Sequence, residues 1–155
     1  MITPWLLLLP VPVIAALLAW RPLRSFSREV QAERAREAFK LQRERLEANF
    51  IQAAEATGKP RGLHWREIDW DDKVLFARER RTGQLAALVG ATIKFEAVEG
   101  GDMEGLPAVG NLRNASAVFF HEQGRWLATG RTVFNLNPDE VIEHFAQQYE
   151  RIEAA

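Results

Sequence analysis

Residues 85–98 read LAALVGATIKFEAV, and two patterns run through them. Leu85, Ala87, Val89, Ala91, Ile93, Phe95 and Ala97 form an unbroken apolar series at every second position. The alternate series begins Ala86, Leu88, Gly90 and turns polar at Thr92, Lys94 and Glu96. Successive side chains of a strand point to opposite faces. The segment therefore reads as a long strand, covered on both faces at its start and on one face at its end.

Downstream, residues 112–121 and 125–136 read as a hairpin around Gln123-Gly124. Pairing through that two-residue turn sets Glu122 opposite Arg125, a favourable cross-strand charge pair. The same register gathers Phe119, Trp126 and Phe134 on one face, with Ala115, Ala117, Ala128 and Gly130 between them. Small residues framed by aromatic ones suit a curved sheet on which a helix lies closely. Upstream, residues 63–70 read as a first strand, Asp71-Asp72 as a turn and residues 74–80 as a second strand, with Thr82-Gly83 turning into the long one. Asn137-Pro138-Asp139-Glu140 is a helix start, with Asn as N-cap, Pro at the first position and Glu at the third. Val141, Ile142, Phe145, Tyr149 and Ile152 then supply the apolar face of a short closing helix.

Residues 27–57 lack Gly and Pro, are dense in Ala, Glu, Arg and Gln, and stop at Gly58. They read as one long helix. Up to Ala38 its only large apolar residue is Val30, which marks an exposed stalk. From Phe39 onward Leu46, Phe50, Ala53 and Ala54 recur at helical spacing and should pack on the sheet. A coiled coil is not expected: with Phe39 and Leu46 at a positions, the d positions are Gln42 and Asn49.

Residues 2–20, ITPWLLLLPVPVIAALLAW, carry no charge. At about 1.5 Å per residue they span roughly 28 Å, close to the hydrocarbon thickness of a bilayer. Trp5 and Trp20 stand near the two ends, where indoles favour the interface. Pro10 and Pro12 weaken a helix there, and spanning helices tolerate such breaks. A cleavable signal peptide would need a cationic start and a small-residue cleavage site before a polar mature end, and neither is seen. Arg21, Arg24 and Arg28 follow at once, so the positive-inside rule sets the body in the cytoplasm. Three parts are thus expected: a transmembrane anchor over 1–20, a basic helical stalk over 21–38, and an α+β domain over 39–155. That domain is a long amphipathic helix on a curved antiparallel sheet of about five strands, closed by a short helix.

Charge is unevenly spread. The chain of 155 residues has a formal net charge of −1, yet residues 21–45 hold eight Lys/Arg against four Glu. Cations beside a span are drawn to anionic headgroups. Pairs such as Glu33–Arg36 and Glu37–Lys40 equally fit a solvated helix face. The overall balance excludes a dedicated nucleic-acid binder.

No chemistry is written into a motif. With no cysteine, thiolate metal sites, disulfides and cysteine nucleophiles are excluded. His64, His121 and His144 lie on three elements without ligand spacing. Glu67, Asp69, Asp71 and Asp72 cluster without an EF-hand pattern. The glycine-rich loop 99–111 matches no phosphate-binding signature. Asn114-Ala115-Ser116 is a glycosylation sequon that falls inside a predicted strand. No catalytic residue, cofactor or metal is therefore assigned. Trp65, Trp126 and Phe134 are the candidate lining of a pocket under the loop 99–111.

A helix followed by a curved antiparallel meander resembles, in element order, the cystatin-like and nuclear-transport-factor-2-like architectures. Such folds host pockets, enzymes and pure interaction modules, so the order does not fix a function. The leading expectation is a membrane-tethered, non-catalytic interaction or accessory module whose partners are the lipid bilayer and a protein of unknown identity. The alternative is a small-molecule-binding or enzymatic cone. A filled space between helix and sheet favours the first and a hollow one the second.

Overall fold

A computed structural model describes residues 10–153, with side chains from residue 26 onward. The order is α1 (Pro10–Ala56), β1 (Leu63–Glu79), β2 (Leu85–Ala97), β3 (Arg113–Glu122), β4 (Arg125–Phe134), α2 (Pro138–His144) and β5 (Tyr149–Arg151). The strands form one antiparallel sheet in the order β4-β3-β2-β1-β5. It curves into a half-barrel with α1 on one face and α2 on the other.

The curvature has a visible source in the register. Against β2, β1 carries extra residues between Trp65 and Glu67 and again between Trp70 and Val74. Against β3, β4 carries extra residues where the pairing jumps from Thr132 to Ala128, around Gly130. Such bulges bend and twist a ladder. They also correct the expected strand count. Asp71-Asp72 is a bulge within one 17-residue strand, not a turn between two, because β2 needs a partner along its whole length. The fifth strand is instead Tyr149–Arg151, which the helical spacing placed in the closing helix. That helix ends at His144; the chain turns through Phe145–Gln148 bonds and pairs with β1 opposite Ala77, Arg78 and Glu79. The start of α2 has the expected capping box: Asn137 accepts from the Glu140 amide, and the Glu140 carboxylate accepts from the Asn137 amide.

Between α1 and the sheet lies the larger core, built on Phe39, Phe50, Trp65, Phe95, Phe119 and Trp126. The hairpin register is the predicted one, with Glu122 opposite Arg125 and Phe119, Trp126 and Phe134 on the α1 side. On the other face Ala86 and Leu88 meet Val118, Val141, Ile142 and Tyr149, so β2 is covered on both sides at its start, as its sequence requires. Contact between α1 and the body begins earlier than Phe39. Ala32 and Ala35 are already buried, which moves the packed part of the helix seven residues into the expected stalk. Their small side chains bring the helix axis close to β4. At the far end Gly130, with φ +75°, lies beneath the backbone of Ala53 and Ala54.

The apolar run 2–20 crosses the limit of what is described. Trp5 and the rest of residues 1–9 lie outside the described residues, whereas Trp20, Arg21 and Arg24 fall on α1. Among the described residues no helix contains a stretch long and apolar enough to cross a membrane.

Asp139 anchors α2 by accepting from Arg151 at 2.5 Å and from Lys73 at 3.1 Å. The Arg151 hydrogen bond first, and then that of Lys73, holds its carboxyl below the usual range. A depressed carboxyl contributes stability above its unfolded value and loses it as pH falls through the depressed one. Asp139→Asn should therefore flatten acid unfolding below about pH 4 while costing less than about 1 kcal/mol at neutral pH, because the pairs are exposed. A pH series of denaturation midpoints checks this.

Gly130 supplies a sharper test. A Cβ there would stand 2.5 Å from the Ala54 amide nitrogen, whereas at Gly83, also at φ +75°, it would meet nothing within 4 Å. Gly130→Ala should cost about 3 kcal/mol and Gly83→Ala about 1 kcal/mol, measured by urea unfolding.

Candidate functional site

Of the expected pocket residues, Trp65 and Trp126 are buried in the core under α1, and Phe134 packs against it half-buried. Trp65 stacks edge-on with Phe95 at 5.2 Å and Phe50 at 6.4 Å, and lies 6.3 Å from Phe134. Trp126 sits toward the opposite end of the sheet against Phe39 at 5.1 Å, Phe76 at 6.1 Å and His121 at 5.1 Å. Phe119 fills the space between, touching both Phe39 and Phe50 at 5.3 Å. The interior is thus occupied by interlocked rings in edge-on and tilted contacts, the arrangements that aromatic quadrupoles favour. Trp126 satisfies its indole by donating to the Ala35 carbonyl at 2.7 Å, and Trp65 donates to that of Lys59 at 3.1 Å. The loop 99–111 ends in a 3₁₀ turn, Pro107–Gly110, whose Val109 packs on this cluster.

The other candidate groups are dispersed. His64 and His144 are exposed, and His121 is half-buried against Trp126. Glu67 reaches Lys94 at 4.0 Å, Asp71 lies over Gly90, and Asp69 and Asp72 face solvent. Among the described residues no three His, Asp or Glu side chains are grouped to hold a metal. Ser116 of the sequon is fully buried and donates to the Leu136 carbonyl at 2.8 Å.

Two arginines of the basic stretch 21–45 instead fasten the body. Arg36, only 7% exposed, donates through Nη2 to the carbonyls of Ile152 at 2.7 Å and Glu153 at 2.5 Å. Its Nη1 holds the predicted partner Glu33 at 3.1 Å, and its guanidinium carbon stands 5.5 Å from the Phe76 ring centre. Arg43, seven residues on, donates to the carbonyls of Asp71 and Asp72, which the bulge in β1 removes from the ladder, and pairs with Glu47 at 2.6 Å. Both guanidiniums saturate backbone acceptors that the sheet leaves over. Charge-assisted bonds of this type are the stronger ones. Sequence spacing reveals only the local Glu33 partner; the carbonyl acceptors are far away along the chain.

Two clefts flank α1 where it leaves the sheet. One, about 700 Å³, is lined by Glu29, Val30, Glu33, Arg36, Glu150 and Ile152 among others, a mixture of both charges over an apolar floor. The other, about 550 Å³, lies between α1 and the two hairpin turns. Gln31, Arg34, Arg78, Gln84 and His121 supply its polar walls. Burial, then the neighbouring Arg28, lowers the Arg78 guanidinium, opposed by Glu150. Burial also lowers the His121 imidazole, so at neutral pH it is mainly uncharged. Of the residues expected at a membrane interface, Arg28 is exposed beside this end of the body.

No family model matches the chain, and neither a curated protein nor a solved structure matches it.

Arg36→Ala should cost about 2–3 kcal/mol, since it orphans two carbonyls, whereas Arg34→Ala on the exposed face should stay within about 0.5 kcal/mol. Trp126→Ala should cost about 3–5 kcal/mol, as for a large aromatic removed from a core. Chemical denaturation of the three variants checks the order.

Proposed function

We propose that the protein is a single-pass membrane-anchored chain whose small α+β body works in the cytoplasm as a non-catalytic interaction module. The observation that carries the reading is the filled interior. Phe39, Phe50 and Phe119 occupy the space that a cone-shaped enzyme or carrier keeps open between helix and sheet. The tether is supported by the uncharged run 2–20 and by the continuity of α1, which from Pro10 in that run continues to Ala56 against Gly130 in the core. One helix thereby joins anchor and body. Arg21, Arg24 and Arg28 on its first turns beyond the run support the cytoplasmic orientation.

Two measurements test the two halves of the reading. Membranes washed with alkaline carbonate should retain the chain with residues 2–20 still attached, as read by mass spectrometry of its N-terminus. A soluble chain beginning after Trp20 contradicts the anchor. Xenon, which enters empty apolar cavities, should leave the NMR signals of the Trp65 and Trp126 indoles unmoved. A saturable shift at either indole would reveal a hollow interior and support the pocket reading instead.

A further inference from the structure

The cleft between α1 and the two hairpin turns differs from the rest of the surface in the sign of its walls. The body beyond residue 45 has more acidic than basic residues, yet among the described residues that line this cleft there is no Asp or Glu. Arg34 enters from α1, Arg78 from β1 and His121 from β3, while Gln31 and Gln84 add neutral amides. Ala35, Ala38 and Leu85 form the apolar floor. Arg78 is poorly satisfied: its one hydrogen bond in the described structure is a long contact, 3.4 Å, to the Gly83 carbonyl. Arg28 adds a further cation near it, and Glu150, across the neighbouring cleft that Arg78 also borders, offsets that charge in part. Nearby acids are otherwise engaged or turned outward. Glu79 accepts from the Thr82 hydroxyl, and Glu122 is exposed opposite Arg125.

We propose that this cleft binds a phosphate-bearing ligand between the guanidiniums of Arg34 and Arg78. Two forked cations lining one recess suit the near-double charge of a phosphate monoester. His121 and the two glutamines can hydrogen-bond the ester oxygen or the carrier group. At about 550 Å³ the cleft takes a phosphate together with a glycerol-sized group. The same chemistry comes from a lipid headgroup or from a soluble metabolite. The site requires neither the anchor nor the orientation proposed above.

The full chain in neutral detergent is titrated calorimetrically with short-chain phosphatidate, glycerol phosphate, and succinate as a carboxylate control. The Trp126 indole, edge-on to His121 at 5.1 Å, serves as the NMR reporter. Saturable binding of a phosphate probe, with succinate much weaker, is expected. Tighter binding of phosphatidate than of glycerol phosphate identifies a lipid source; equal binding identifies a soluble one. Arg34→Gln removes an exposed charge without touching the core and should weaken binding about tenfold or more, the equivalent of one charge-assisted bond. Gln31→Glu places a carboxylate in the cleft and should weaken it further, whereas Arg61→Gln, outside the cleft, should not. The proposal is overturned if neither phosphate probe binds, if succinate binds equally well, or if Arg34→Gln and Arg61→Gln behave alike.

Discussion

A sheet bent by bulges at Trp65–Glu67, Trp70–Val74 and Gly130 presents an apolar face that, among the described residues, no second sheet covers. Everything else in the body follows from the need to cover that face with a single helix. The helix meets it through a stripe at helical spacing: Ala32, Ala35, Phe39, Leu46, Phe50 and Ala54 are buried. Large rings fill the middle, where the sheet is farthest from the helix axis. Alanines and a glycine close the two ends, at Ala32–Ala35 over Trp126 and at Ala54 over Gly130. Close packing of this kind leaves little freedom: enlarging an end or shrinking the middle is destabilising by the same geometry.

The parts that the sequence made legible are those decided locally. A two-residue turn with complementary charges at Glu122 and Arg125 fixed the hairpin register, and the Asn137 capping box fixed the start of α2. The two-sided burial of β2 was legible because both of its alternating series are apolar over residues 85–90. The failures share a different cause. Asp71-Asp72-Lys73 has turn-forming chemistry, and only the length of β2 explains why the chain continues through it as a bulge. Tyr149 and Ile152 continue a helical apolar pattern from Val141, but the open edge of β1 at Ala77–Glu79 recruits the segment into the sheet. Tertiary pairing overrode local preference in both cases.

Charge was the least legible property. Arg36 and Arg43 count with Arg34 and Arg45 in a basic stretch, yet the first two bond backbone carbonyls just after β5 and in the bulge of β1, whereas Arg34 and Arg45 are exposed. Arg78 is a strand residue that faces two clefts at once. The candidate site depends on which cations remain without a carboxylate after such pairings, and that is a property of the assembled surface. Trp65, Trp126 and Phe134, which stood out as candidate lining, are core residues because the interior is small enough for nine aromatic rings to fill.

The continuity of α1 through residue 56 also sets a mechanical phase between the helix before the body and the body itself. A helix advances about 100° and 1.5 Å per residue. One residue added between Arg28 and Ala32 would swing both clefts about a quarter-turn around the axis of the N-terminal segment while lifting the body hardly at all. Two such residues would face them nearly the opposite way. The short stretch before Ala32 is therefore a dial for azimuth, and its length, more than its charge, decides which side of the body any structure beside that segment encounters.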